Sequence, residues 1–323
     1  NNDGTIQGAN CLVSANQDSG FSITKYTGNG TSGATFGHGL GQQVGLSIVK
    51  NVGSSTYWYV YSNLLPTNNN LYLNTSDSKQ ADGVMLGGNS TTVSISASSS
   101  VNTNSGSYIA YNFASVDGMS RVGSYVGTGA SGNSIVTGFR PAFLMWKASS
   151  GVGSWYIFDN KRTTSNPQGQ YLQANESAAE GDGTSLFNID FLTNGFVING
   201  TNNEVNANGG SYIFLAIAAE PTPEPVLANS FKTVTYAGND TTQDITSLNF
   251  KPDLIWLKGK NNGNIHILTD SIRGTNSQLS SNNTNAQTAG AANVTSFNSN
   301  GFSLGDAGNT NTSAQTYVAW NWY

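Results

Sequence analysis

The chain has 323 residues, more than one hydrophobic core usually organises, so two or three domains are expected. Only 10% of residues are charged, the net charge is -5 and the 13 Lys and Arg residues form no basic stripe, which argues against nucleic-acid binding. The single cysteine, Cys11, excludes an intrachain disulfide framework, and the richest apolar run, residues 212–219, is too short for a membrane helix, so no membrane insertion is expected.

Short alternating strands are the structural signal from the first residues onward. The chain has 38 glycines and 37% hydrophobic residues, a composition that suits strands joined by tight turns. No stretch has sustained 3.6-residue periodicity, so helix content is predicted to be very low. The first strand-like stretch, TIQGANCLVSAN, lies in a linking segment, residues 1–20, which we expect to add a strand to a neighbouring sheet in this chain or another.

From residue 21 onward, the same ordered landmarks occur three times, which indicates a repeat. Each copy opens with a strand that ends in an aromatic residue and a glycine turn: FSITKYTGNG from Phe21, RVGSYVGTG from Arg121 and FKTVTYAGN from Phe231. An apolar run closed by a lysine follows, at Lys50, Lys147 and Lys258. We expect each lysine to mark the point where its strand reaches water.

Two further landmarks repeat with constant spacing. Eight residues after each lysine, an alternating strand carries a large ring: Trp58, Trp155 or His266. Each copy closes with an apolar strand whose first tyrosine has an asparagine six residues upstream: Asn102, Asn206 and Asn311. His266 takes a position otherwise held by tryptophan, so we interpret it as structural.

These landmarks set the predicted organisation. Copy one covers residues 21–120, copy two 121–220 and copy three 231–323, with a Pro-rich linker over 221–230. Roughly eight short strands per copy, bounded by Gly, Asn and Asp turns, are typical of an antiparallel β-sandwich or jelly roll. The predicted fold is therefore all-β, with three tandem antiparallel β-sandwich domains of the jelly-roll type. Copies one and two are expected to pack directly together, and copy three to stand further off.

The strongest polar pattern is Asp-x-x-Arg directly after the ring strand. It occurs as Asp159 with Arg162 and as Asp270 with Arg273, whereas copy one has Ser62 and Leu65. An Asp and an Arg at this spacing form a turn-locking ion pair or contact a ligand, and both alternatives stay open. Trp58 and Trp155 are the matching aromatic candidates, because tryptophan rings stack on sugars or fill cores.

The sequence offers little for catalysis or metal binding. Glycoside hydrolysis needs two carboxylates across a cleft, and the acidic residues that cluster in copy two are Asp159, Glu176, Glu180, Asp182 and Asp190. Calcium would find oxygens only in GDG at residues 181–183 and GND at 238–240, without the dense acidic ligands of a dedicated loop. We therefore predict no catalytic residues, no metal site and no cofactor.

The repeats resemble those of structural and tail-fibre-like proteins of marine bacteriophages. The segments that carry the resemblance are FKTVTYAGNDTTQDITSLNFKPDLIWLKGK, SFNSNGFSL and TYVAWNWY in copy three, and YTGNGTSGATFGHGLG, TGFRPAFLMWK and GSWYIFDNKR in copies one and two. The resemblance spans essentially the whole chain. It implies a concanavalin-like sandwich displayed on a virion, with no catalytic residues to carry over.

The leading functional hypothesis is a non-enzymatic virion protein, in a tail fibre, spike or capsid decoration, at the particle surface. Its expected partners are other virion subunits or copies of itself, and a host-surface carbohydrate. One alternative is a secreted bacterial adhesin or filament subunit in which residues 1–20 pass between subunits. The other is a glycan-degrading enzyme with an acid/base pair that includes Asp190.

Overall fold

The computed structural model describes residues 1–218, 230–290 and 292–323, and it is built almost entirely from antiparallel strands. Helical residues make up 4%, in the 3-10 turn Gly8–Asn10 and two single-turn helices, α1 (Ser99–Asn102) and α2 (Asn203–Asn206). The all-β prediction is confirmed. The predicted linker, except for Ser230, lies outside the described residues.

Copy one and the segment before it form two sheets. Their strands are β1 (Cys11–Asn16), β2 (Phe21–Thr27), β3 (Ala34–Gly37), β4 (Val44–Asn51), β5 (Tyr59–Ser62), β6 (Leu71–Tyr72), β7 (Met85–Gly88), β8 (Thr92–Ile95) and β9 (Ser107–Ala114). The large sheet has the order β1-β2-β9-β4-β5-β6, and the small sheet has the order β3-β8-β7. The linking segment therefore adds its strand β1 to copy one of the same chain, in antiparallel register with β2.

Copy two repeats this plan. Its strands are β10 (Ser120–Val126), β11 (Asn133–Val136), β12 (Pro141–Ala148), β13 (Tyr156–Asp159), β14 (Gln170–Gln173), β15 (Gly181–Asp182), β16 (Ile189–Leu192), β17 (Gly195–Ile198) and β18 (Ser211–Ala218). The large sheet has the order β10-β18-β12-β13-β14-β15, and the small sheet has the order β11-β17-β16.

Copy three has the same core strands. They are β19 (Phe231–Ala237), β20 (Gln243–Ile245), β21 (Leu254–Gly259), β22 (Ile267–Asp270), β23 (Ser277–Gln278), β24 (Thr288–Ala289), β25 (Val294–Asn298), β26 (Gly301–Leu304) and β27 (Thr316–Trp322). The large sheet has the order β19-β27-β21-β22, the small sheet β20-β26-β25, and β23 pairs with β24. In every copy, the closing strand thus lies between the opening strand and the lysine strand.

The repeated tyrosine and asparagine tie the closing strand to the opening turn. In copy one the Asn102 side chain accepts a hydrogen bond from the Asn29 backbone N–H at 2.8 Å, and Asn206 and Asn311 bond the equivalent turns. The hydroxyl of Tyr108 accepts the Thr103 N–H at 2.7 Å. All three asparagines are fully buried, so their side chains replace backbone partners that the turn lacks.

The large sheets are buried on both faces. Along β12, Phe143 and Met145 point into a cluster that contains residues of all three copies, which we call the central core. The alternate residues, Leu144 and Trp146, point into the sandwich interior of copy two. This is why all eight residues of β12 are buried and why the strand reads as a continuous apolar run.

The central core joins copy three to both other copies. The Trp322 ring lies 5.9 Å from Phe21 of copy one and 5.8 Å from Phe143 of copy two, measured between ring centroids. Phe231 lies 5.7 Å from the same Phe143. The expectation that copy three stands further off is therefore wrong, because its opening and closing strands carry large aromatic residues on the face turned toward copies one and two.

Candidate functional site

The predicted candidate residues all lie at the interfaces between copies. Trp155 Nε1 of copy two donates to the Tyr72 carbonyl of copy one at 2.9 Å, and Trp58 Nε1 of copy one donates to the Ser280 carbonyl of copy three at 3.0 Å. Tyr72 and Ser280 hold equivalent positions, because each lies two residues before an asparagine. The side chain of that asparagine accepts a hydrogen bond from the backbone N–H of the ring residue, tryptophan or histidine, in its own copy. Each tryptophan is thereby fixed at both its backbone and its ring.

His266 completes the same set of contacts in the third interface. Its Nδ1 accepts the Trp256 indole N–H at 2.8 Å, which leaves the proton on Nε2, and Nε2 lies 3.0 Å from the Gln173 carbonyl of copy two. Burial lowers the pKa of His266 to about 3, so the ring is neutral. The histidine thus does what the tryptophans do, and the three contacts run in one direction around a ring: copy one to three, three to two, and two to one.

The Asp-x-x-Arg pairs reinforce two of the three interfaces. Arg162 Nε lies 2.6 Å from Asp159 Oδ2, and both side chains are fully buried. The same oxygen accepts the Trp320 indole N–H of copy three at 3.0 Å. The Arg162 guanidinium also lies 5.5 Å from the centroid of the Trp320 ring, a distance at which a cation is attracted to the ring face.

The second pair has a tyrosine in place of the tryptophan. Arg273 Nε lies 2.5 Å from Asp270 Oδ2, and the Tyr111 hydroxyl of copy one donates to that oxygen at 2.8 Å. Arg273 Nη2 donates back to the Tyr111 oxygen at 3.0 Å, which closes a three-membered polar cluster. Burial raises the pKa of Tyr111 well above its ordinary value, so the hydroxyl keeps its proton.

The third interface has no Asp-x-x-Arg pair. Where the other copies have Asp and Arg, copy one has Ser62 and Leu65, and the residue of copy two that corresponds to Tyr111 and Trp320 is Leu215. Leu65 and Leu215 both belong to the central core. The loss of the ion pair in copy one therefore coincides with the loss of the polar group that would face it.

Burial leaves no route by which a glycan reaches these residues. Trp58, Trp155, Asp159 and Asp270 are at most 1% exposed, and the Arg162 and Arg273 side chains at most 2%. The geometry is that of structural ion pairs and inter-copy hydrogen bonds. In residues 1–218, 230–290 and 292–323, no group of three or more His, Cys, Asp or Glu residues is placed to hold a metal ion.

The acidic residues of copy two have separate environments. Glu180 lies at the interface with copy three, where its carboxylate is 3.8 Å from Arg162 Nη1 and 3.6 Å from Lys260 Nζ. Asp190 accepts a hydrogen bond from Asn199 at 3.1 Å on β16. Asp182 is exposed and accepts the Thr184 N–H in a turn.

The repeated lysines contradict their predicted position at the water boundary. Lys50, Lys147 and Lys258 are at most 1% exposed, and each ammonium donates to the carbonyl of the next residue at 2.7–2.8 Å. Burial lowers the pKa of each to about 8. The lysine strand ends under neighbouring loops rather than in solvent; for Lys147, one of these is the Ser76 loop of copy one, whose carbonyl lies at 3.2 Å.

The sequence comparisons give a family without a stated role. A family model described as Domain of unknown function (DUF7483) matches residues 1–221 and 228–323, so the match includes all three copies. No curated protein matches the chain. Within the described residues, no helix is long and apolar enough to cross a membrane.

Proposed function

The chain belongs to the DUF7483 family, and we propose that it is a non-enzymatic structural protein of a bacteriophage particle, in a tail fibre, spike or capsid decoration. The observation that carries the proposal is the closed ring of three sandwiches. The ring residues and both Asp-x-x-Arg pairs hold the copies together, so the side chains best suited to chemistry are used for cohesion. A rigid building unit is the function that such an arrangement supports best.

Sequence and structure support this proposal in different ways. The repeats resemble those of marine phage structural and tail-fibre-like proteins over essentially the whole chain. The inner strands of the three large sheets are buried on both faces, which resists shear between copies because sliding would break packing and hydrogen bonds together. A surface component of a particle needs this resistance.

The test is detection of the chain on particles. Virions of the phage that encodes it are purified by two successive density gradients and examined with a gold-labelled antibody, with mass spectrometry to give the copy number. The proposal expects labelling at one repeated location on most particles. A protein found only in the host or the medium, and absent from purified virions, overturns it.

We also propose that contact with host glycans uses an exposed aromatic patch of copy one and not the buried tryptophans. Tyr57 is 45% exposed and stacks on Tyr72 with ring centroids 4.6 Å apart. The Tyr72 hydroxyl donates to Asp82 at 2.7 Å, so an aromatic face lies beside a carboxylate. Sugars are bound by this combination, because the ring stacks on C–H faces and the carboxylate accepts hydroxyl protons.

A matched pair of variants tests the patch. Tyr57→Ala removes the stacking ring, and Tyr323→Ala removes a ring of similar exposure, 47%, from the opposite end of the chain. Binding to a panel of bacterial surface polysaccharides is expected to fall at least about tenfold with Tyr57→Ala only. Equal binding by both variants, or no binding by the parent chain, rejects the patch and leaves the particle role to be judged on virions.

A further inference from the structure

The opening strand of copy two has an edge that its counterpart in copy one does not have. In copy one, β1 covers the outer edge of β2, with Leu12 opposite Lys25 and Cys11 opposite Tyr26. In copy two, β10 is itself the outermost strand, and the positions that correspond to Lys25 and Tyr26 are Ser124 and Tyr125. Within the described ranges, no strand pairs with β10 on this side.

Backbone hydrogen bonds show which groups of β10 point outward. The N–H and carbonyl of Ser120 bond Val116, and the N–H of Val122 bonds the Ser115 hydroxyl, all on the side away from β18. Successive residues of an antiparallel strand alternate in direction, so Ser124 also presents its N–H and carbonyl outward. The first half of the edge is thus closed by residues 115–116. In the second half, Asn133 Nδ2 donates to the Val126 carbonyl at 3.0 Å, and Ser124 is the residue whose N–H and carbonyl stay open among the described residues.

The open half borders a groove between two strands of copy two. A cavity of about 370 Å³ lies between β10 and β11 and is bounded on one side by Leu64 of copy one. Its rim carries two exposed valines, Val126 at 60% and Val136 at 66% exposure. In copy one the linking segment fills this place: the Ile6 N–H donates to the Thr35 carbonyl of β3 at 2.9 Å, and Ile6 is only 3% exposed.

We propose that this groove is a strand-acceptor site for the linking segment of a second copy of the chain. Residues 4–12 fill the equivalent place in copy one, where Ile6 bridges to Phe36 and Leu12 pairs with Lys25, and the remaining residues of β1 would meet the half of the edge that is already closed. Residues 4–12 carry no charged side chain, and one charged side chain, that of Arg121, lines the groove. By the register of copy one, Leu12 of the second copy lies opposite Ser124 and bonds its free N–H and carbonyl.

Exchange of this segment links copies of the chain without a new fold. The donor releases its linking segment from its own β2, and the acceptor adds residues 4–12 of that segment to the open half of β10, which is strand exchange between identical subunits. Association therefore increases with concentration and competes with the intrachain pairing. The inference depends on the open edge alone, so it holds or fails separately from the location of the chain on a virion.

The first experiment uses a fluorescent peptide of residues 4–12, carrying Cys11→Ser, and the full chain. Anisotropy measures binding to the parent chain and to three variants. Ser124→Pro removes only an outward N–H, so it leaves the ladder with β18 intact, and Val136→Glu places a charge on the opposite wall. Both are expected to weaken binding at least about tenfold, whereas Ser124→Ala, which keeps the N–H, binds as the parent does.

The second experiment is sedimentation equilibrium of the full chain over a hundredfold range of concentration. The proposal expects self-association that excess peptide suppresses and that Ser124→Pro and Val136→Glu reduce. Peptide binding that neither variant changes places the site elsewhere and overturns the proposal. A parent chain that binds the peptide but stays monomeric at every concentration overturns it too, because the occupant is then not a second copy.

Discussion

Replacement of Arg273 by leucine is the sharpest test of the inter-copy polar clusters. Arg273→Leu leaves the Asp270 carboxylate fully buried, with the Tyr111 hydroxyl as its remaining side-chain donor. A buried charge that loses its partner costs about 3–5 kcal/mol. We therefore expect the free energy of unfolding in urea at pH 7 to fall by about that amount.

The chain itself supplies the compensating changes. The interface between copies two and one has Ser62, Leu65 and Leu215 where this interface has Asp270, Arg273 and Tyr111. A triple variant, Asp270→Ser, Arg273→Leu and Tyr111→Leu, copies that apolar solution. It removes the charge and the hydroxyl together, so we expect it to be at least about 2 kcal/mol more stable than Arg273→Leu alone.

The test compares the midpoints and slopes of urea unfolding for the parent, the single variant and the triple variant. A triple variant that is less stable than the single one, with unchanged slopes, refutes the reasoning, because the ion pair would then contribute more than the burial of its charges. Asp159→Ser with Arg162→Leu and Trp320→Leu provides the same comparison at the neighbouring interface, where the loss of a larger ring adds a cavity.

Three other predictions concern single residues. Lys147 has a folded-state pKa of about 8 and an ordinary pKa near 10.5, so the unfolded chain binds more protons between these values and the free energy of unfolding rises with pH. In urea titrations from about pH 7.5 to 9.5, Lys147→Met is expected to reduce this rise by about 2 kcal/mol. An unchanged rise contradicts the burial of the amine. Gly301 has φ +155°, and a Cβ at this position would lie 1.7 Å from the Ile245 carbonyl oxygen. Gly301→Ala is therefore expected to lower the melting temperature far more than Gly274→Ala, because Gly274 has φ +87° but open space around its Cβ position. Equal shifts in melting temperature contradict the close approach at Gly301. Cys11 is fully buried and burial raises the pKa of its thiol, so a thiol reagent is expected to label it only after unfolding, and rapid labelling of the native chain contradicts the packing of β1.

The sequence predicted what depends on local pattern. Alternation and turn residues were enough to predict strands in each copy, and the constant spacing from Lys147 to Trp155 identified equivalent strands in the three copies. The repeated tyrosine and asparagine, such as Tyr108 and Asn102, also marked equivalent positions in the three copies. These features could be predicted because the contacts behind them join residues of the same copy, and the sequence repeats that copy three times.

The sequence could not predict which residues meet at the interfaces between copies. Lys50 was expected to reach water because a strand that ends in lysine usually does, and only the arrangement of loops around it shows otherwise. Trp58 meets Ser280, 222 residues away, through a backbone carbonyl that carries no sequence signal. The burial of Leu65 and Leu215 in one central core was equally hidden, although the missing Asp-x-x-Arg in copy one was a visible sign that this interface differs.

Small-angle X-ray scattering of the full chain tests the central claim, that the three copies close around one core. A chain of 323 residues packed as one unit has a radius of gyration of about 20 Å. We predict that value and a single-peaked, nearly symmetric distance distribution. A clearly larger radius with an extended tail, as given by sandwiches arranged in a row, would contradict the closed ring and every inter-copy contact derived from it.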